Sequence, residues 1–182
     1  MQLQKNGRKT FKELGETIGF TSLGAKKRVD KLLKKGHIRI SALINSDALN
    51  LRLALILLEV ESAEAMRKII KRYSGCPRII NFFTTMGGFN LIALVMAEDQ
   101  ATLESESMEK CALRSGEGIR RSEFFPLGKV DNSSFLPLKA HTLTKKENIT
   151  PCGVQCKDCP SFQDKTCVGC PSLSYYRGPL KW

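Results

Sequence analysis

The chain has 182 residues, of which 42% are hydrophobic and 26% are charged, and its formal net charge is +11. This length and apolar content are enough for one or two modest hydrophobic cores, whereas apolar runs such as residues 53–58 are too short to cross a bilayer. Because seven cysteines occur without a secretion signal, we expect a cytoplasmic protein with metal or redox chemistry at its thiols, not a disulfide-stabilised secreted protein or a membrane protein.

The first predicted elements are two short helices joined by a tight turn. Apolar residues recur at helical spacing over residues 11–18 and again over residues 23–33, and Gly36 suits the C terminus of the second helix. Polar and apolar residues then alternate over residues 37–41, which predicts a half-buried strand. This order predicts a winged helix-turn-helix domain over residues 1–48, whose second helix would lie in the major groove of DNA.

Basic charge is concentrated in this first segment. Residues 1–45 hold 11 Lys or Arg and 3 Asp or Glu, so they carry +8 of the net charge of +11. A basic surface on a helix-turn-helix is the electrostatic pattern of a protein that binds double-stranded DNA. The predicted DNA contacts are Thr21, Ser22, Lys26, Lys27 and Arg28 at the start of the second helix, with Lys9, Lys12 and Arg39 beside it.

Strand and helix patterns alternate along residues 49–130. Strands are expected over residues 53–61, 78–85, 89–97 and 118–127, and helices over residues 63–74 and 99–114. The order β-α-β-β-α-β is that of a ferredoxin-like plait, an antiparallel sheet with two helices on one face, so the predicted fold class is α+β. Cys76 and Cys111 lie outside any ligand spacing and are predicted to be small buried hydrophobic residues.

The sheet of this plait is predicted to be apolar on the face that its helices leave open. The residues on which this expectation rests are Ile79, Phe82, Leu91, Ala93 and Val95. An antiparallel sheet does not leave two apolar faces in water, so we expect a homodimer or higher homo-oligomer that packs sheet against sheet.

Residues 1–130 resemble the Lrp/AsnC (feast/famine) family of transcription regulators. Short motifs in matching order carry the resemblance: Arg8, Glu13 and Leu14, then Lys27–Leu32, Gly36–Ile38 and Gly87–Asn90. The resemblance implies a dimeric or larger regulator that binds DNA near promoters and a small-molecule effector bound beside a turn. The turn residues concerned are Met86, Gly87, Gly88 and Asn90, of which Asn90 stands where the family has an acidic residue. The first helix of the family begins upstream of the position that matches Met1, so we expect the first helix of this chain to be truncated.

A polar stretch over residues 131–150 predicts a linker, and residues 151–182 predict a cysteine-rich metal-binding module. Five cysteines follow the pattern C-x3-C-x2-C-x7-C-x2-C: Cys152, Cys156, Cys159, Cys167 and Cys170. Two C-x2-C pairs can present four sulfurs to one tetrahedral Zn2+, which is the predicted cofactor. The alternative is a [4Fe-4S] cluster, because Pro follows Cys159 and Cys170 as it follows a ligand cysteine in ferredoxins.

Two other classes of function are compatible with the sequence. One is an enzyme, because siroheme decarboxylases share this two-domain build. Those enzymes rely on His and Arg near the cleft of the plait. The predicted plait of this chain holds no His, and the pair Arg120-Arg121 is the only hint of such a site. The other is a scaffold whose cysteine module binds a protein partner. We favour a DNA-binding transcription regulator with a structural or sensing metal site, with no catalytic residue predicted.

Overall fold

The computed structural model describes residues 2–109, 113–140 and 148–180, and it divides the chain into two compact units, Met1–Ala42 and Leu43–Trp182. Every strand of the described residues lies in the larger unit. Within the same described residues, no helix is long and apolar enough to span a membrane.

The smaller unit is helical. Its helices are α1 (Gln2–Lys5), α2 (Phe11–Ile18) and α3 (Ser22–Lys34). Thr10 and Glu13 begin α2 with a capping box, in which each side chain accepts a hydrogen bond from the backbone N–H of the other residue. Gly19 ends α2 in the left-handed conformation, with φ at 70°, and the Thr21 hydroxyl then accepts from the Gly24 N–H and caps α3. The predicted helix-turn-helix is therefore present.

The prediction of a strand over residues 37–41 is wrong. Within the described residues, this stretch pairs with no other strand, and Ile38 packs instead against the small helical core of Leu14, Ala25 and Val29. Alternating polarity becomes a strand only when another strand completes the hydrogen-bond ladder. The first strand of the described chain, β1, covers Ile44–Asn45 and belongs to the larger unit.

A four-stranded antiparallel sheet is the base of the larger unit. Its strands are β2 (Arg52–Val60), β3 (Ile79–Thr84), β4 (Leu91–Ala97) and β5 (Ile119–Leu127), in the spatial order β3-β4-β2-β5. Helices α4 (Ala63–Tyr73) and α5 (Gln100–Met108) follow β2 and β4 and complete the predicted β-α-β-β-α-β order. Ser62 and Asp99 cap these helices through their side-chain oxygens. The ferredoxin-like plait is therefore confirmed.

Alternate strand residues face the two helices of the plait. Ile56 and Leu58 are buried on this side and belong to the same core as Ile69 of α4 and Leu103 of α5. The residues expected on the open face lie on this helix side instead: Ile79, Phe82, Leu91, Ala93 and Val95. That expectation failed because β4 is apolar at every position, so its sequence carries no alternation that assigns a face.

The open face of the sheet carries different apolar residues. Leu55, Leu57 and Ile92 are half-buried there, while Phe83 and Phe125 are each 46% exposed. Phe125 lies opposite Leu55 in the strand register, and Ile92 lies opposite both Leu57 and Phe83. These five residues therefore form one apolar strip across all four strands of the sheet.

The C-terminal residues join the plait in one compact unit, which differs from the separate linker and module that the sequence predicts. In the stretch expected to be a linker, strand β6 (Phe135–Leu136) pairs antiparallel with β1. Leu136 and Leu138 pack on a second core cluster whose buried members are Leu51, Leu53, Ile80, Met96, Tyr176 and Leu180. Residues 148–180 contribute Tyr176 and Leu180 to that core, while residues 141–147 of the expected linker lie outside the described chain.

Candidate functional site

Helix α3 carries a row of lysines on the face opposite its inward residues. Ala25 and Val29 are buried, and Leu32 completes this inward stripe at i, i+4 and i+7 spacing. The lysines with the same spacing, two positions later, are Lys27, Lys31 and Lys34. All three are exposed, and a shift of two residues is about 200° around a helix, so they face away from the core. Lys31 and Lys34 are absent from the contacts predicted from the sequence. They could have been found there, because each follows an inward-facing residue of α3 by two positions.

Some of the other predicted DNA contacts are exposed, and others also make contacts within the smaller unit. Exposed positions are occupied by Lys12, Ser22, Lys26 and Arg39. The Arg28 guanidinium lies 3.8 Å from the centroid of the Phe20 ring, so a cation–π contact within the unit holds this side chain. The Thr21 hydroxyl is used in the α3 cap, and Lys9 Nζ donates to Gln2 Oε1 at 2.9 Å. Lys26, Lys27 and Arg28 are therefore all exposed on α3, and the Arg28 side chain also contacts Phe20.

The turn expected to contact an effector holds the sheet together through Asn90. Asn90 Oδ1 accepts a hydrogen bond from the Val60 N–H at 2.8 Å, and its Nδ2 donates to the Val60 carbonyl at 2.8 Å. Met86 is fully exposed at the tip of the turn, while the Thr85 hydroxyl donates to the Phe89 carbonyl. Both functional groups of the Asn90 amide are therefore engaged with the end of β2.

Asn90→Asp should lower the free energy of unfolding by about 1–3 kcal/mol, because a carboxylate cannot donate to the Val60 carbonyl and would leave it unpaired. Urea titration of both proteins measures this difference. Asn81→Asp is the matched control: Asn81 Oδ1 only accepts, from the Phe82 N–H, and a carboxylate can do the same. Equal losses in the two variants would contradict a structural role for the Asn90 amide.

A cavity of about 550 Å3 lies within the larger unit, between the plait and the C-terminal segment. Six cysteines line it: Cys76, Cys152, Cys156, Cys159, Cys167 and Cys170. The structure thus brings the five cysteines of the predicted module together and adds Cys76, which was expected to be an ordinary buried residue. Cys111 lies outside the described residues.

Backbone N–H groups point at several of these sulfurs. The Gly169 N–H donates to Cys167 Sγ at 3.4 Å, and the sulfurs of Cys76 and Cys170 accept from the backbone of Arg78 and Ser172. Burial raises the pKa of the Cys76 thiol to about 12 and that of Cys170 to about 11, because these hydrogen bonds offset desolvation only in part. At neutral pH these two thiols are therefore protonated, and a cation that bound them would displace their protons into solvent.

The spacing of the sulfurs does not match a site for one ion. Among the described residues, no three His, Cys, Asp or Glu side chains are grouped so that they could hold a metal ion. The thiols are instead distributed around the cavity wall. Metal binding by the cysteines stays a prediction.

Buried charges connect the plait to this cavity wall. Arg78 precedes β3 and is 7% exposed. Its guanidinium is paired with Glu98 and with Glu106, the latter at 2.8 Å, and its Nη2 donates to the Gly169 carbonyl at 2.6 Å. The Tyr176 hydroxyl also donates to Glu98. Burial raises the pKa of Glu106 to about 8, against the opposing effect of Arg78. The four side chains therefore join β3, β4 and α5 to the C-terminal segment.

No protein-family model matches this chain. The chain is 33% identical over 95 residues to an uncharacterized HTH-type transcriptional regulator of Pyrococcus furiosus, a match that spans 52% of this chain and 64% of that protein. It is 26% identical over 124 residues to an HTH-type transcriptional regulator of Mycobacterium tuberculosis, spanning 67% of this chain and 82% of that protein.

Solved structures give the same fold. The structure of E. coli AsnC superposes with a TM-score of 0.59 at 17% identity, covering 71% of this chain and 87% of that one. A Neisseria meningitidis transcriptional regulator, solved in complex with L-Met, gives 0.64 at 21% identity, with coverage of 76% and 91%. The two relatives are HTH-type transcriptional regulators, and E. coli AsnC and the Neisseria regulator share the fold of this chain.

Proposed function

We propose that this protein is a sequence-specific DNA-binding transcription regulator that acts as a homodimer or higher homo-oligomer. The observation that carries the proposal is the exposed lysine row of α3, opposite the inward face of a helix-turn-helix. That unit also holds most of the chain's excess positive charge, since residues 1–45 carry +8 of +11. The comparisons support the same class of function without identifying an operator.

Helix α3 would lie along the major groove, with its lysine row and Lys26 directed at the DNA. Each Lys–phosphate contact releases condensed counterions, so the affinity should fall steeply as salt rises. The test is fluorescence anisotropy of the full chain with a labelled duplex over a series of salt concentrations. Binding with a strongly negative slope of log K against log salt supports the proposal. No binding at low salt contradicts it.

A second copy of the chain is the proposed partner for the apolar strip of the open sheet face. An isologous contact would place the strip of one protomer on the same strip of its partner and remove Phe83 and Phe125 from water. In this arrangement, the two helix-turn-helix units of a dimer could read the two halves of a palindromic site.

Phe125→Lys should shift the protein from a dimer or larger assembly toward the monomer, because the substitution would bury a charge within an apolar contact. Light scattering at micromolar concentration measures the mass. Phe135→Lys is the control, since Phe135 is also exposed but lies outside the strip. A monomeric wild-type protein would contradict the proposed contact, as would an equal mass change in both variants.

The cysteines of the C-terminal segment are proposed to bind a metal cofactor, with a structural or sensing role beside DNA binding. The convergence of their thiols on one cavity supports this proposal. Elemental analysis of the full chain purified without oxygen tests it. Stoichiometric metal supports the site, and metal-free protein contradicts it.

A further inference from the structure

We propose that the cavity of the larger unit binds a small organic ammonium ion, which is a protonated primary amine on an apolar body. The ammonium group would lie against Ser105 and Glu106 of α5, which both line the cavity. The inference goes beyond the proposed function, because it assigns an organic ligand and rests neither on DNA binding nor on metal at the cysteines.

Two polar atoms of α5 are buried at the cavity without a hydrogen bond. Ser105 and Glu106 are 6% and 8% exposed, and among the described residues Ser105 Oγ and Glu106 Oε1 have no hydrogen-bond partner. Glu106 Oε1 lies 2.8 Å from Arg78 Nε as an ion pair, but the two groups are not aligned for a hydrogen bond. Buried polar atoms without partners destabilise a protein, so two of them at one cavity indicate a ligand that donates hydrogen bonds.

The charges beside these atoms favour a cationic donor. Among the described residues of this group, two buried carboxyl groups, Glu98 and Glu106, share one guanidinium, that of Arg78. An ammonium ion supplies three N–H donors and the positive charge that balances the second carboxylate. An alcohol supplies one donor and no charge, and a carboxylate ligand would be repelled.

Glu106 would exchange a proton for this ligand. Burial raises the pKa of its carboxyl group to about 8, and binding of the ammonium would release the carboxyl proton to solvent. The other charged groups among the described residues of the cavity wall are Arg72, Glu109 and Asp158. Arg72 and Asp158 are exposed, so water screens them, and Glu109 Oε1 already accepts from the Ser161 hydroxyl at 2.6 Å.

The rest of the cavity fits an apolar body. Its volume of about 550 Å3 lies in the range of pockets that hold small organic ligands. Aliphatic and aromatic side chains from the plait and the C-terminal segment line it: Ile56, Tyr73, Ile79, Val95, Leu113 and Phe162. An amine with a short aliphatic or aromatic body would therefore be polar at α5 and apolar elsewhere, as this wall requires.

The proposed site is distant from the turn over residues 86–90 along the β3–β4 hairpin. Ile79 begins β3 and Val95 lies near the end of β4, whereas the turn joins the other ends of these two strands. The C-terminal segment contributes Thr150, Phe162 and Gly169 to the cavity wall. A ligand bound there would therefore also hold this segment against the plait.

The test is calorimetric titration of the full chain, after measurement of its metal content, with 2-phenylethylamine and with butylamine. At about pH 8 both amines are protonated and Glu106 is partly ionised. We expect saturable binding at one site per chain. The alcohol of the same size, 2-phenylethanol, should bind about tenfold or more weakly, because it lacks the charge, and phenylacetate should not bind.

Ser105→Ala separates a ligand contact from a structural one. Because the Ser105 hydroxyl has no partner among the described residues, the variant should unfold in urea no earlier than the wild type, yet bind both amines several-fold more weakly. Ser107→Ala is the control on the same helix. Ser107 Oγ accepts from Arg114 Nη1 at 2.8 Å, and Ser107 does not belong to the described cavity wall, so this variant should lose stability and keep the affinity.

Glu106→Gln tests the charge. It should weaken binding of the amines about tenfold or more and leave binding of 2-phenylethanol nearly unchanged, with circular dichroism as the check of the fold. The proposal is overturned by absence of saturable binding of both amines, by equal affinity for 2-phenylethylamine and 2-phenylethanol, or by unchanged amine affinity in Ser105→Ala and Glu106→Gln. The measured metal content decides the cysteine proposal separately, and none of these results bears on DNA binding by α3.

Discussion

Replacing Arg78 by Met should lower the free energy of unfolding by about 3–5 kcal/mol. Arg78 is 7% exposed, and its guanidinium is the cation between the buried carboxyl groups of Glu98 and Glu106. Removal of one partner from a buried ion pair leaves the other charge without compensation. The Gly169 carbonyl would also lose its donor, so the contact between the plait and the C-terminal segment should weaken.

Urea titration at fixed metal content measures this loss. Arg67→Met is the control, because Arg67 is an exposed residue of α4 and its substitution should change stability by no more than about 0.5 kcal/mol. Hydrogen exchange should show the larger effect of Arg78→Met at residues 148–180. A loss below about 1 kcal/mol, or no difference from Arg67→Met, would contradict the role assigned to this network.

Substitution of Lys27, Lys31 and Lys34 by Gln should weaken DNA binding strongly and lower the magnitude of the salt slope by up to about 2.7. Each phosphate contact contributes about 0.9 to that slope, and this row presents three cations on one helix face. Glutamine retains helix propensity, so α3 should still form. Arg28→Gln should have a smaller effect because its guanidinium contacts Phe20.

A matched triple variant separates a local contact from a general change of charge. Lys68, Lys71 and Lys129 are exposed in the larger unit, and their replacement by Gln removes the same net charge. That variant should keep nearly the wild-type slope. Equal slopes for the two triple variants would place the DNA contact surface elsewhere than on α3.

Local signals in the sequence predicted helices α2 and α3. Gly36, expected at the C terminus of α3, follows the Lys35 cap in the left-handed conformation, with φ at 67°, because the end of a helix depends on residues within one turn. The prediction of a strand over residues 37–41 failed because strand formation depends on residues far away in the sequence. Whether an alternating stretch becomes a strand depends on a partner, and the two-residue β1 that follows finds its partner about 90 residues later, in β6.

The cysteine site shows the same division between local and long-range information. Spacing alone identified the five cysteines from Cys152 onward, because their pattern is compact. Cys76 was missed, since only the packing of the C-terminal segment on the plait brings it to the cavity. The available signal was the dipeptide Cys76-Pro77, which repeats the Cys-Pro pairs of the C-terminal segment.

Selection of binding sites from a random duplex library tests most directly whether the protein is a sequence-specific, dimeric regulator. The full chain is incubated with the library at moderate salt, and bound duplexes are recovered, amplified and sequenced over successive rounds. We expect enrichment of an inverted repeat whose half-sites lie about 10 base pairs apart, or a multiple of this, as two helix-turn-helix units of a dimer require. The Lys27, Lys31 and Lys34 triple variant should enrich no such repeat. Recovery of unenriched library sequence by the wild-type protein would contradict sequence-specific DNA recognition.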